Sequence, residues 1–145
     1  AVGQRLRDAG GEYGSTTGRP RRCGWLDLPA LRYAHALNGF SALVLTKLDV
    51  LTGLDSIDVC VGYRIDGRVE SVLPADEAQV NRAEPVYETL PGWTEDITKV
   101  RTFEELPQAA RDYVGFIEEA TGVPAAVVGV GPGRSETLIR SDLWG

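Results

Sequence analysis

An α/β fold with a mixed α+β order of elements is predicted by three observations. Ala42 to Thr46 is a short unbroken apolar run between turn signals, the pattern of a strand covered on both faces in a parallel sheet, and it ends at Lys47-Leu48-Asp49. Ile57, Val59, Val61, Tyr63 and Ile65 alternate with Asp58, Cys60, Gly62, Arg64 and Asp66, a half-buried strand that Asp66-Gly67 turns into a hairpin. Two stretches, one after Asp27 and one around Ala110 to Thr121, carry the spacing of the two main helices. At 145 residues, 43% hydrophobic and 25% charged, the chain has one domain's worth of sequence and enough apolar material for a core.

Taken in order, Val2 to Ala9 reads as a short helix, and Gly10 to Trp25 as a loop without apolar period. Asp27 caps a helix whose apolar positions Leu28, Leu31, Ala34 and Leu37 advance by threes, with Pro29 in its first turn and Asn38-Gly39 as its stop. His35, the single histidine, sits in that helix with no second histidine or nucleophile in view, and is read as a packing or surface residue. After the hairpin, whose second strand is Arg68 to Val72, Leu73 to Arg82 reads as a surface excursion. Pro85 to Leu90 is extended and stops at Pro91-Gly92, with Trp93 as a packing anchor. Thr102 to Glu105 has capping-box spacing, and Pro107 suits the first turn of the helix that follows. Ala110, Tyr113, Val114 and Ile117 form its inward stripe, while Arg111, Asp112, Glu118 and Glu119 make its solvated side; Gly122 and Pro124 end it. Ala125 to Val130 is the last strand, and Gly131-Pro-Gly-Arg134 turns away from it.

Composition narrows the partners. A net charge of -6 lacks the basic face that a phosphate backbone requires, so nucleic acid is not expected. No apolar run reaches the ~20 residues of a membrane span, and the N-terminus has no signal-peptide core, which predicts a cytoplasmic protein. Cys23 and Cys60 match no metal-ligand spacing and are expected as reduced thiols. The chain has no methionine and opens directly on a helical stretch, so it is expected to be a piece of a longer polypeptide.

Against this acidic background Gly10 to Trp25 concentrates five glycines, the hydroxyls of Ser15, Thr16 and Thr17, and the guanidiniums of Arg19, Arg21 and Arg22. Arginine forks meet carboxylates or phosphates with paired hydrogen bonds, and hydroxyls and glycine N–H groups fill the remaining acceptor sites. By residue type alone the loop reads equally as a solvated turn. Lys47 and Asp49 fall at the carboxyl end of the apolar strand, where open α/β sheets place ligands. One ionised Asp can accept from both the N1–H and the N2 amino group of guanine, whereas adenine offers no matching donors. Without further information this Lys-x-Asp run reads first as an ordinary strand-end ion pair.

The runs together carry more. Gly11-Glu-Tyr-Gly-Ser-Thr-Thr-Gly-Arg-Pro-Arg-Arg-Cys-Gly-Trp25, Leu45-Thr-Lys-Leu-Asp-Val-Leu51, Pro85-Val-Tyr-Glu-Thr-Leu-Pro-Gly-Trp93 and Thr121-Gly-Val-Pro124 resemble the adenylosuccinate synthetases, from the middle of the family sequence to its C-terminus, in one order along essentially the whole chain. The resemblance implies a C-terminal substrate- and nucleotide-binding domain over residues 1–145. Ser15, Thr16, Thr17, Gly18, Arg19, Pro20 and Arg21 would hold L-aspartate, with Arg19 also approaching IMP and Arg21 approaching GTP. Lys47, Leu48 and Asp49 would read guanine, and Gly129, Val130 and Gly131 would add backbone contacts. The implied reaction joins IMP and aspartate to adenylosuccinate while GTP, the cosubstrate, becomes GDP and phosphate. Mg²⁺, the acid–base pair and the glycine-rich phosphate loop belong to the family's N-terminal part, and no G-x-x-x-x-G-K-[ST] run occurs here. No catalytic residue and no metal ligand is therefore expected in this chain, which by itself should be inactive; the longer enzyme is implied to be a homodimer. Three positions depart from the family pattern: Gly129 where Ser is frequent, Gly133 where Asp follows Gly-Pro, and Thr52 where Asp follows the Lys-Leu-Asp-Val-Leu run. The alternatives are a standalone nucleotide- or dicarboxylate-binding module without catalysis, and an interface piece whose arginines meet acidic partners.

Overall fold

A computed structural model describes residues 2–72, 74 and 76–141 of the chain. Helix α1 (Val2–Gly10) buries Leu6, and its Arg5 Nη2 donates to the Thr52 carbonyl at 3.2 Å. Strand β1 (Leu26–Asp27) leads directly into α2 (Leu28–Asn38). Asp27 is the expected cap. Its Oδ1 accepts from the Ala30 N–H at 3.0 Å while Oδ2 accepts from the Tyr63 hydroxyl, and Gly39 ends the helix at φ 62°. The inward stripe is shorter than its spacing indicated: Leu28 and Pro29 are buried, but Leu37 is 68% exposed because the chain turns away at Gly39. His35 packs its ring 5.8 Å from that of Phe40, a packing role as read.

One sheet is built around β3 (Ser56–Ile65), which pairs along one edge with β5 (Glu84–Pro91), antiparallel. Its other edge is shared by β1, parallel, and β4 (Arg68–Glu70), antiparallel. The alternation along β3 fails half-way. Ile57 and Val59 are buried as predicted, but the pairing with β5 slips by one residue between Cys60 and Gly62, so Cys60 and Gly62 are buried while Val61, Tyr63 and Ile65 are half-buried. A bulge moves every later side chain to the opposite face, which alternation alone cannot reveal. The hairpin turns as read, though its second strand stops at Glu70, short of Val72: Ile65 opposes Arg68, and Asp66 and Gly67 take φ 48° and 84°, the left-handed pair of a two-residue turn. Within the predicted excursion lies one helical turn, α3 (Glu77–Val80), capped by Asp76; Leu73 and Ala75 lie outside the described residues. Trp93 is 3% exposed, an anchor as expected, and its indole N–H donates to Thr52 Oγ1 at 3.2 Å, which gives the unusual Thr52 a structural use.

The second sheet runs β2 (Leu43–Leu45), β6 (Ala125–Gly129), β7 (Thr137–Ile139), with β2 and β6 parallel and β7 antiparallel. Two expectations are corrected here. Strand β2 is not covered on both faces among the described residues: it is an edge strand and Val44 is 56% exposed. Nor is β6 the last strand, because β7 follows it; a strand of three residues is too short to register as alternation.

Helix α4 (Gln108–Thr121) buries Ala110, Tyr113, Val114 and Ile117, the stripe read from spacing, and ends on Gly122 at φ 70°. Its start differs. Thr102 makes no side-chain cap, Phe103–Glu105 is a separate 3-10 turn, and Pro107 stands just before the helix. Proline pushes its predecessor out of helical space, and Leu106 is extended at ψ 146°, so the two helical pieces cannot fuse. Glu118 is not a free solvated side chain: it accepts from the Ala125 N–H at 2.7 Å and pairs with Arg140 at 2.6 Å, tying α4 to β6. No helix among the described residues is long and apolar enough to cross a membrane.

Candidate functional site

The arginine loop is a loop in the structure, and its own backbone shapes it. Tyr13 and Pro20 face each other across an antiparallel bridge, Gly14 N–H donates to the Arg19 carbonyl at 2.9 Å, and Gly18 N–H to the Gly14 carbonyl at 2.8 Å. Ser15, Thr16 and Thr17 form the exposed turn at its tip, and Thr17 Oγ1 accepts from the Arg19 N–H at 3.3 Å. The Arg19 side chain is exposed and has no hydrogen-bond or ion-pair partner among the described residues.

Arg21 is anchored through its backbone and one side-chain nitrogen. Its N–H donates to the Glu12 carbonyl at 3.0 Å, its carbonyl accepts from Arg7 Nε at 2.6 Å, and its Nη1 meets Glu12 Oε2 at 3.1 Å. The other oxygen of Glu12 accepts from Lys47 Nζ, which also donates to the Gly10 carbonyl at 2.7 Å. Those contacts hold the Glu12 carboxyl below the usual carboxylate range, the Lys47 hydrogen bond foremost. Arg21 and Lys47, from segments far apart in the chain, thus line one groove of about 530 Å³ with Glu12 and Cys23 at its polar side and Trp25 and Leu45 among its apolar walls. The loop tip from Ser15 to Arg19 does not line that groove, and neither do Asp49 or Gly129 to Gly131.

Asp49 occupies a second locus. Lys47 takes φ 60°, reversing the chain after β2 into the 3-10 turn Leu48–Leu51. Leu48 is 3% exposed and points into the core, so only its backbone is available to a ligand. Asp49 Oδ1 is buried without a hydrogen-bond partner among the described residues. Desolvation chiefly raises the Asp49 pKa, and the Glu136 carboxylate raises it further, against opposing contributions from its own backbone N–H and from Lys47. Gly129 lies against the Thr46-Lys47 backbone: a Cβ there would stand 3.5 Å from Thr46 Cα. Val130 is fully buried, and its N–H donates to the Glu136 carbonyl at 2.8 Å. The Glu136 carboxylate accepts from Gly133 N–H at 2.5 Å, and a Cβ on Gly131 or Gly133 would come within 2.7 or 2.8 Å of it. Glycine at 133, the unusual choice, leaves room for that bond.

Two residues that organise these loci were not singled out from sequence. Glu12 had a visible signal, a lone carboxylate inside an arginine loop. Glu136 had none, because its partners are backbone groups brought near by the turn after β6. An arrangement of this kind can bind anions through Arg19 and Arg21, and holds in Asp49 one carboxylate oxygen with no hydrogen-bond partner among the described residues.

The backbone is that of a mixed-sheet α/β fold seen before: it matches a fully ligated adenylosuccinate synthetase from Plasmodium falciparum with a TM-score of 0.92 at 44% identity, covering 97% of this chain and 34% of that one. The adenylosuccinate synthetase family model matches residues 1–138. The adenylosuccinate synthetase of Pelobacter propionicus is 54% identical over 139 residues, and that of Mycobacterium marinum 52% identical over 141, covering 96% and 97% of this chain. The chain belongs to the adenylosuccinate synthetase family. It spans about a third of the length of the curated relatives it matches, 32% and 33% of these two.

Proposed function

We propose that the chain is the C-terminal substrate- and nucleotide-binding part of a purine-biosynthesis ligase that forms adenylosuccinate from IMP and L-aspartate while hydrolysing GTP to GDP and phosphate. The observation that carries the reading is Asp49 Oδ1, a buried carboxylate oxygen without a hydrogen-bond partner among the described residues, beside the Lys47 turn. A buried acceptor left unsatisfied costs free energy, and the N1–H and N2 amino group of guanine are a pair of donors of the kind that would satisfy it. Lys47 and the backbone of Leu48 would complete the base contact, with Gly129, Val130 and Gly131 bordering it.

On the other side of Lys47, Ser15 to Arg21 would take the aspartate carboxylates. Arg19, without an internal partner among the described residues, would reach aspartate and IMP; Arg21, held by Glu12, would take aspartate with the rest of the loop and also approach GTP. What these residues do chemically is hold anions in register and neutralise their charge, the usual protein contribution to phosphoryl transfer. Mg²⁺ on the GTP phosphates would be held by the family's N-terminal part, as the resemblance implies, and no step here runs through it. A homodimeric, cytoplasmic enzyme is part of the same proposal.

The test is adenylosuccinate absorbance with IMP, aspartate, GTP and Mg²⁺, comparing the full-length protein with this chain alone. The full-length protein should turn over and the chain alone should not, since proton transfer by itself contributes roughly 10²–10⁴ in rate. In the full-length protein Asp49→Asn should shift preference from GTP toward XTP, because an amide reverses half of the hydrogen-bond pattern. Undiminished preference for GTP would remove Asp49 from base recognition.

A further inference from the structure

Glu12 has one carboxylate oxygen on each of two cations that belong to different binding segments. Oε2 takes Arg21 Nη1 of the arginine loop at 3.1 Å, and Oε1 takes Lys47 Nζ of the base-side turn. The same residue's carbonyl accepts from Arg21 N–H at 3.0 Å, so backbone and side chain act together on Arg21. Lys47 is steered twice as well. Its ammonium also sits on the Gly10 carbonyl, at the C-terminal end of α1 where the helix dipole is negative. Its backbone is left-handed at φ 60°, a conformation a lysine seldom adopts, so its side chain leaves the turn in a direction that the Glu12 contact matches.

We propose, resting on the functional reading above, that Glu12 is a positioning residue for both substrate-binding segments. Its carboxylate sets Arg21 and Lys47 in fixed relation, so that binding on the aspartate side and binding on the guanine side are coupled through one side chain. Arg21 and Lys47 repel across one groove that Arg22 also lines; the carboxylate between them offsets that repulsion and leaves the groove net positive for a ligand. Arg21 commits Nη1 to Glu12 and keeps Nε and Nη2, which is enough of the fork to meet an anion. An anion on the Nε and Nη2 edge of Arg21 draws on the same guanidinium charge as Glu12 and so leaves more of the carboxylate's attraction for Lys47. Linkage makes the effect reciprocal: a guanine nucleotide that fixes Lys47 must favour the aspartate site by the same factor.

An ion pair that only decorated the surface would contribute little to either side. The test therefore reads binding on both sides at once. In the full-length protein Glu12→Gln keeps the size of the side chain, removes its charge and turns one of its two acceptor oxygens into an NH2 donor that can accept from neither cation. The Michaelis constants for aspartate and for GTP are expected to rise together, each about three- to tenfold, with a smaller loss of kcat. A rise in one constant alone, or a fall in kcat and thermal midpoint with both constants unmoved, would overturn joint positioning. Should Glu12→Gln not fold, Lys47→Met probes the link from the other end: the aspartate constant should still rise, and an unchanged value overturns the proposal. A wild-type protein that forms no adenylosuccinate defeats the functional reading and this inference with it. An active wild type with unshifted constants in the variant defeats this inference alone.

Discussion

The arginine loop and the Lys47–Leu51 turn present their polar side chains in opposite ways. In the loop the backbone bonds to itself, from Gly14 to Arg19 and from Gly18 to Gly14, and the side chains of Ser15, Thr16 and Arg19 project into solvent. In the turn, Leu48 is driven into the core while its neighbours Lys47 and Asp49 are held on either side of it. A loop of the first kind can be changed at its tip with little effect on folding. The second kind cannot, because the residue that positions the carboxylate is also a core residue. Glu12 stands between the two.

The largest expected effect tests the turn. Leu48→Ala should destabilise the fold by about 2–5 kcal/mol, the usual range for emptying a buried leucine site, whereas Ser15→Ala at the loop tip should stay within about 0.5 kcal/mol. Urea midpoints of the two variants decide this, and equal midpoints would erase the distinction between the regions.

Arg19→Ala comes next and tests the loop. Losing a charge-assisted bond to a ligand should remove roughly 1.5–3 kcal/mol, about ten- to a hundredfold in kcat/KM for aspartate, without a matching loss of stability. Steady-state kinetics with aspartate varied, beside a thermal melt, is the measurement. Unchanged kinetics would show that Arg19 does not meet substrate, and a large fall in melting temperature would show that the loop supports the fold after all.

The smallest effect is a pH dependence of opposite sign in the two regions. Asp49 has its folded pKa raised above the ordinary 3.8, mainly by desolvation, so its contribution favours the fold below that ordinary value and is lost as pH rises through the raised one. Glu12 has its folded pKa lowered from 4.5, mainly by the Lys47 hydrogen bond, so its contribution is present above that value and is lost as pH falls through the lowered one. Nucleotide binding adds a clear readout. A protonated Asp49 cannot accept from two guanine donors, so affinity for GDP should begin to weaken on acidification at a pH above the ordinary aspartate range. Calorimetric titration of the wild type across pH, with Asp49→Asn as the flat reference, checks it; parallel curves would contradict the role of desolvation at Asp49.

Much of the molecule follows from local chemistry that the sequence states openly. Asp27 caps α2, Asp66-Gly67 closes its hairpin, Gly39 and Gly122 end their helices, and the four-residue stripe of α4 faces inward, because each depends on neighbours a few positions away. Arg19, Arg21, Lys47 and Asp49 stood out as candidates through family resemblance, but only the fold places Arg21 and Lys47 on one groove and leaves Arg19 and Asp49 off it. Tertiary structure decided the rest. The slip at Cys60, the short strand β7 and the exposure of Val44 depend on which strand lies alongside, and no local pattern encodes a partner. The same holds for Glu12 and Glu136, and for Glu118 on Arg140. A carboxylate's role is set by which donors the fold delivers to it, and those donors come from residues 35 positions away along the chain for Lys47 and Glu12, and 22 for Arg140 and Glu118.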